Sequence, residues 1–356
     1  MNQRDKTIIK RKDDHLEIFK NNDCSSPNST TWLEHVRLVH SALPELSVED
    51  IDISTNFAQR DFATPLFITG ITGGTAKAKE INIALAKVAE KYGMAFGLGS
   101  QRAMLESQSL SITYNVRKFA PSVFIAGNLG AVQLMTWHLD DLYQMLESVS
   151  ANALCIHLNP AQELLQKEGD RDFSRILERL ERLTKLLDVP VIVKEVGCGL
   201  SREVAQQLIE SHVQYLDCAG VGGTSWPVIE LLRSTEENGE DKNVFADWGI
   251  PTAASCMELS GLQAEFIASG GIRNGLEAAK AIALGASMVG IAGGILQEYF
   301  SGGEKAVDKK IQSMLSGLKM AMILTSCQNI QDLQRCPKVI LGDLQKWCEQ
   351  RDILTY

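Results

Sequence analysis

The chain has 356 residues, 45% of them hydrophobic and 22% charged, with a formal net charge of −9. This composition supports a sizeable core and speaks against disorder, and the acidic balance speaks against nucleic acid or an anionic membrane as partner, since both demand a basic face. Any anionic ligand must therefore meet a local cationic pocket.

The eight cysteines form no C-x-x-C pair, and Cys155 and Cys218 lie in apolar runs. They read as reduced core thiols, which points to a cytoplasmic location. No apolar run approaches a membrane span, and the start MNQRDKTIIKRKDDH lacks the apolar centre of a secretory signal.

Residues 1–60 precede any repeating pattern and carry charged clusters, so we expect an N-terminal extension that folds over a neighbouring site as a lid. From residue 61 to 325 short apolar, β-branched runs alternate with helical patterns such as 81–92 and 173–187, the signature of βα units. The strand candidates are PLFITG (65–70), MAFGLG (94–99), SVFIAG (122–127), ALCIHL (153–158), PVIVKEV (190–196), QYLDCAG (214–220), EFIASGG (265–271) and SMVGIAG (287–293). A doubly wound open sheet shows the same alternation but rarely reaches eight strands, so the expected fold is a (β/α)8 TIM barrel. Residues 234–257, containing ENGEDKN and WGIPTA, read as a polar insertion after the sixth strand, and 326–356 as a C-terminal helical tail.

In such a barrel the reactive groups follow the carboxyl ends of the strands. The glycine-rich turns 269–275 and 292–294, with Gly271, Ile272, Arg273, Ala292 and Gly293, let backbone N–H groups approach a phosphate ahead of a helix N-terminus. Without a ligand they would simply make tight turns; Arg273 beside them favours the phosphate. Lys194 ends an apolar strand, where burying a charge without purpose is costly. It is suited to a Schiff base or to stabilising negative charge on a reduced flavin, and adjacent strand residues face opposite ways, which weakens a simple ion pair with Glu195.

The fourth strand ends in His157, Asn159, Gln162 and Glu163. His157 and Asn159 share one side of the strand, and Glu163 is suited to anchor Mg2+, which takes its other ligands from water and phosphate. Ser100, Gln101 and Arg102 follow the second strand and Asn128 ends the third; Arg102 suits bidentate phosphate binding and Asn128 a flat heterocycle. Ile71, Thr72 and Gly73 follow the first strand and Thr224 the sixth. The early run Arg11, Lys12, Asp13, Asp14, His15 is either a solvated charge cluster or, in a lid, a set of groups that closes on a phosphate.

In order, RKDDH (11–15), ITGG (71–74), GSQR (99–102), HLNPAQE (157–163), VKEVG (193–197), VGGTSW (221–226) and ASGGIR (268–273) resemble the motifs of the type II isopentenyl-diphosphate isomerases. The resemblance spans residues 11 to about 295, and HLNPAQE, KEVG and RKDDH are not shared as a set by other flavin barrels. It implies FMN across the barrel mouth, held by Ile71, Thr72, Gly73, Ser100, Asn128, Lys194, Thr224, Gly271, Ile272, Arg273, Ala292 and Gly293. It implies isopentenyl diphosphate or dimethylallyl diphosphate held by Arg11, Lys12, His15, Ser100, Gln101, Arg102, His157, Asn159 and Gln162, with Mg2+ on Glu163. Catalysis would fall to Gln162, His157 and Lys194 around a reduced flavin acting as acid and base, with NADPH as its reductant and no net redox. A homo-oligomer, tetramer or octamer, is implied as well. An FMN-dependent oxidoreductase of the 2-hydroxy-acid-oxidising type is the alternative, without support from HLNPAQE or the basic lid.

Overall fold

The computed structural model describes residues 3–233 and 244–354, with side chains from residue 9 onward. All eight expected strands form and close into one parallel barrel: β1 (Leu66–Ile68), β2 (Ala95–Gly97), β3 (Phe124–Gly130), β4 (Ala153–Leu158), β5 (Val191–Glu195), β6 (Tyr215–Asp217), β7 (Glu265–Ser269) and β8 (Met288–Ile291). The strands are almost uniformly buried because side chains on both faces meet core: the barrel lumen inside, the helical ring outside. The helix Ala76–Tyr92 shows how the ring forms. Thr75 caps its start by accepting from the Ala78 N–H, Gly93 ends it at φ +59°, and Ala78, Ile81, Leu85 and Val88 recur at helical spacing on the buried face.

The first 60 residues do more than cover one mouth. The helix Gln3–Asn21 lies at the carboxyl ends of the strands, pinned by buried Leu16 and Phe19, and the backbone N–H of Ser225 donates to the Cys24 carbonyl behind it. The hairpin Thr55–Phe57 with Arg60–Phe62 instead plugs the opposite end. Its Phe57 and Phe62 rings stand edge-on to Tyr215 and Phe124, each 5.3 Å away, at the amino ends of β6 and β3. Sealing that end leaves the lumen open only toward the strands' carboxyl ends.

The C-terminal tail is not wholly helical. Its strand Lys338–Ile340 pairs antiparallel with Val36–Leu38, tying the two extensions together outside the barrel. The expected insertion 234–257 also differs in part. ENGEDKN lies outside the described residues, but Thr252–Leu259 is a fully buried helix of the barrel's outer layer. The apolar residues Ala253, Ala254, Cys256, Met257 and Leu259 account for this burial, a pattern hidden behind the polar residues before it.

That helix carries Glu258, which has no exposure and accepts from Trp347 Nε1 (2.8 Å), Arg351 Nε (2.9 Å) and the Arg202 N–H (3.1 Å). Replacing it leaves the Trp347 and Arg202 donors without that acceptor, while the partly exposed Arg351 keeps Glu203. Glu258→Ala should lose on the order of 3 kcal/mol of stability, read from the urea midpoint at unchanged m-value, whereas a loss under 0.5 kcal/mol would show that the tail is held by other contacts.

Candidate active site

Parallel pairing aligns Gly130, His157, Lys194 and Asp217 as consecutive partners across β3, β4, β5 and β6. A cation, an imidazole and a carboxylate thus share one level of the barrel. Above this level opens a cavity of about 250 Å3 that reaches from the strand ends to the lid helix.

One wall is a backbone cradle. Gly270 and Gly271 have φ of +102° and +75°, and a Cβ at either would strike the carbonyl oxygen of Gly220 or Gly222, so only glycine fits there. The helix Gly275–Ala283 follows, capped by Asn274, whose side chain accepts from the Glu277 N–H at 2.9 Å. Facing it, Ala292, Gly293 and Gly294 open the long helix Gly293–Ile323, whose free N–H groups border the same cavity. Thr252 Oγ1 donates to the Gly270 carbonyl at 2.6 Å and braces the first turn. The start of the helix opened by Gly293, the glycine turn and Arg273 converge on one wall and give it the donors an anion requires.

The opposite wall is basic and comes from two elements. Arg11 and Lys12 enter from the lid helix, Lys12 donating to the Ser100 carbonyl at 3.3 Å, and Arg102 enters from beyond β2, where Glu106 holds its Nε at 3.0 Å. Burial, with Arg11 and Arg102 beside it, pulls the Lys12 ammonium down to about 7. Burial and Arg102 likewise lower Arg11. These three cations crowd together even with Glu106 and Asp170 beside Arg102, so an anionic ligand relieves their mutual repulsion.

Between the walls lies a chain of neutral groups. Asn128 donates through Nδ2 to the Leu98 carbonyl at 2.9 Å, so its Oδ1 is an acceptor and His157 Nδ1, 2.8 Å away, must donate to it. Burial, then Lys194 and Lys12, pull the imidazole down to about 3. His157 is therefore neutral, with Nε2 left as an acceptor. Asn159 Nδ2 donates to Gln162 Oε1 (3.1 Å) and Glu163 Oε1 (3.0 Å), and Gln162 Nε2 donates to Glu230 Oε1 at 3.2 Å. Glu230 is buried yet held below the usual carboxylate range: burial opposes this, but bonds to His15 and Arg233 outweigh it. His15 meets Glu230 at 3.1 Å and stands edge-on to Trp226, fastening the lid to the barrel.

Most of the expected site residues converge on this cavity: Arg11, Lys12, His15, Ile71, Thr72, Ser100, Arg102, Asn128, His157, Asn159, Gln162, Glu163, Lys194, Thr224, Gly271, Ile272, Arg273, Ala292 and Gly293. Two do not line it. Gln101 is fully buried, its amide oxygen accepting from the Asn128 N–H at 2.9 Å, so it braces Asn128 from behind. Gly73 packs face to face with Tyr114, whose ring a Cβ there would overlap. Lys194 does not pair with the Glu195 carboxylate, which turns away to accept the backbone N–H groups of Val196, Gly197 and Cys198. Its ionic partner is Asp217, 3.7 Å away. Asp217, Glu230, Gln133 and Gln166 escaped the sequence reading. A charge inside an apolar run, the signal that marked Lys194, also marks Asp217 in YLDCAG and Glu230 in PVIELL.

Fold and site define an FMN-dependent α/β barrel: a family model for FMN-dependent dehydrogenase matches residues 150–338. Solved relatives by shape include flavocytochrome b2 (TM-score 0.67, 18% identity, 96% of this chain and 88% of that one) and mandelate oxidase (TM-score 0.63, 15% identity, 95% and 100%). At those identities they speak to the fold alone. In sequence, the chain is 40% identical to the isopentenyl-diphosphate delta-isomerase of Pyrococcus furiosus, over 99% of this chain and 91% of that protein. It is 42% identical to that of Halobacterium salinarum over 96% of each, and 43% to that of a Synechococcus strain over 92% and 95%. The chain belongs to the isopentenyl-diphosphate delta-isomerase family, in its flavin-dependent type II branch.

Two outcomes test the electrostatics. An anion beside Lys12 favours its charged form and raises its pKa, so pyrophosphate binding should take up a proton at pH 8 and little at pH 6, where Lys12 is already charged. Calorimetry in buffers of different ionisation enthalpy reads this, and Lys12→Met should abolish the pH 8 uptake. For His157, NMR of the labelled ring should show the Nδ1–H neutral tautomer unchanged from pH 5 to 9; a titration midpoint above 5 would contradict the assignment.

Proposed function

We propose that the chain interconverts isopentenyl diphosphate and dimethylallyl diphosphate, moving a carbon–carbon double bond with no net redox. The observation that carries this is a single cavity with two anion-binding walls, a backbone cradle on one side and a basic lid on the other, separated by neutral hydrogen-bonding groups. A 2-hydroxy acid carries a single carboxylate, which one cation answers, whereas the three cations of the second wall suit a diphosphate. The cradle fits the FMN phosphate: positions 270 and 271 admit no side chain, and the N-terminus of the helix opened by Gly293 borders it. Asn128, Thr72, Ser100 and Lys194 line the space where the ring would lie.

Reduced FMN, when bound, would supply the proton donor and acceptor that an unactivated alkene requires. The protein's own groups do the rest. Arg11, Lys12 and Arg102 hold the diphosphate, with Glu163 as a one-carboxylate anchor for Mg2+. Among the described residues no three histidine, cysteine or acidic side chains gather into a metal cage, which suits an ion that keeps water and phosphate as ligands. His157, fixed neutral, orients the diphosphate end without adding charge near the alkene. Gln162 hydrogen-bonds toward Glu230 and so offers a proton path from the cavity to a buried carboxylate. Lys194, which lines the cavity, would support negative charge on the N1 side of a bound flavin ring. The lid helix and Trp226 exclude water, which strengthens each of these interactions.

The reading also includes NADPH as the reductant of the flavin, a cytoplasmic location and a homo-oligomer. Eight free cysteines, seven of them buried, suit a reducing compartment. Exposed Val39, Leu43, Met320, Leu324 and Val339 near the terminal strand pair suit assembly. Among the described residues no helix is long and apolar enough to cross a membrane.

The test is anaerobic turnover of isopentenyl diphosphate with FMN, Mg2+ and NADPH, each omitted in turn. Isomer that depends on reduced flavin is the expected result, and Gln162→Ala should lower kcat by about 100-fold or more. A flavin-loaded protein that forms no isomer but oxidises 2-hydroxy acids would overturn the reading in favour of an oxidoreductase.

A further inference from the structure

Asp217 ends β6 with about 1% of its surface exposed, beside Lys194 on the neighbouring strand. Its two oxygens live differently. Oδ1 accepts from the Ser269 hydroxyl and from the Ala219 N–H at 3.2 Å. Oδ2 has no hydrogen-bond partner and lies 3.7 Å from Lys194 Nζ, which spends one donor on the Glu195 carbonyl. Both bonds to Oδ1 are ones that a neutral amide oxygen accepts equally well. The carboxylate's charge is therefore unnecessary to the turn, and burying it with one oxygen unbonded is costly. The thiols of Cys155, Cys218 and Cys256 also lie close to Asp217, and Lys194 is the cation that answers it.

We propose that Asp217 is a positioning residue that sets the charge Lys194 presents to the flavin and thereby the flavin's reduction potential. The proposal rests on FMN occupying the cavity with Lys194 at its N1 edge. Uptake of two electrons and one proton by FMN leaves one negative charge at that edge. A lone ammonium would stabilise this charge strongly and hold the potential high. With Asp217 beside it, Lys194 acts as one end of a dipole, whose field falls off faster with distance. A reduced flavin bound there would then be less stabilised as an anion and more basic, as a group that must take a proton from the substrate requires. Lys194 keeps its ammonium in place because Asp217 and the Glu195 carbonyl hold it from two sides.

The experiment is the midpoint potential of the FMN-loaded protein, read by slow enzymatic reduction against a reference dye. Asp217→Asn should move it positive by about 30 mV or more, the equivalent of a tenfold change in the two-electron equilibrium. In a Lys194→Met background the buried Asp217 loses the cation that holds it charged and takes up a proton, so the same substitution should move nothing. Ser269→Ala keeps the carboxylate but removes the hydroxyl donor that partly offsets its charge, so it should give a smaller shift of opposite sign, and it carries the test if Asp217→Asn does not fold. An unchanged potential with FMN bound, or a full shift without Lys194, overturns the proposal. A wild-type chain that binds no FMN overturns the cofactor reading itself, a result visible in the absorption spectrum before any variant is made.

Discussion

The closed parallel register of the barrel is the constraint on which everything else depends. With eight strands hydrogen-bonded edge to edge, no strand can slip by one residue without turning its lumen-facing set outward. His157, Lys194 and Asp217 therefore stand at one level as consecutive partners, though nearly 60 residues separate the first from the last. The Phe57 and Phe62 plug completes the arrangement. By filling the amino end of the lumen with apolar rings, it leaves the large cavity to open at the carboxyl end.

Charge is distributed against the grain of the chain. The protein is acidic overall, yet Arg11, Lys12, Arg102, Lys194 and Arg273 border one cavity. Such crowding is held in place by the fold, and Lys12 shows its cost as an ammonium that gives up its proton near neutrality. The compensation is built in. Glu230 holds His15 and Gln162, Asp217 answers Lys194, and Glu106 answers Arg102, so each cation or donor is aimed before a ligand arrives. The lid helix belongs to the same design, because its buried Leu16 and Phe19 hold it down while its polar residues face inward.

The residues that did not behave as single positions suggested are instructive. Gln101 sits between two residues that do line the cavity, yet its side chain turns back to support Asn128. Glu195 follows Lys194 directly but serves the turn after the strand, as opposite-facing neighbours on a strand should. The helix Thr252–Leu259 was masked by the polar stretch before it, although its own residues are mostly apolar.

The sequence by itself determined the barrel, its eight strands and the glycine-rich phosphate turns. These are local properties: alternation of apolar runs with helical patterns and the absence of side chains at tight turns can be read within a few residues. It also determined the family, through motifs that carry most of the cavity lining. Only the tertiary structure decided who pairs with whom. That Lys194 faces Asp217, that Glu230 ties the lid to Gln162, and that Asn128 fixes the His157 tautomer are contacts across 23, 68 and 29 positions. Such contacts depend on strand register and helix placement, which arise from closing the barrel and are written in no single segment of the chain.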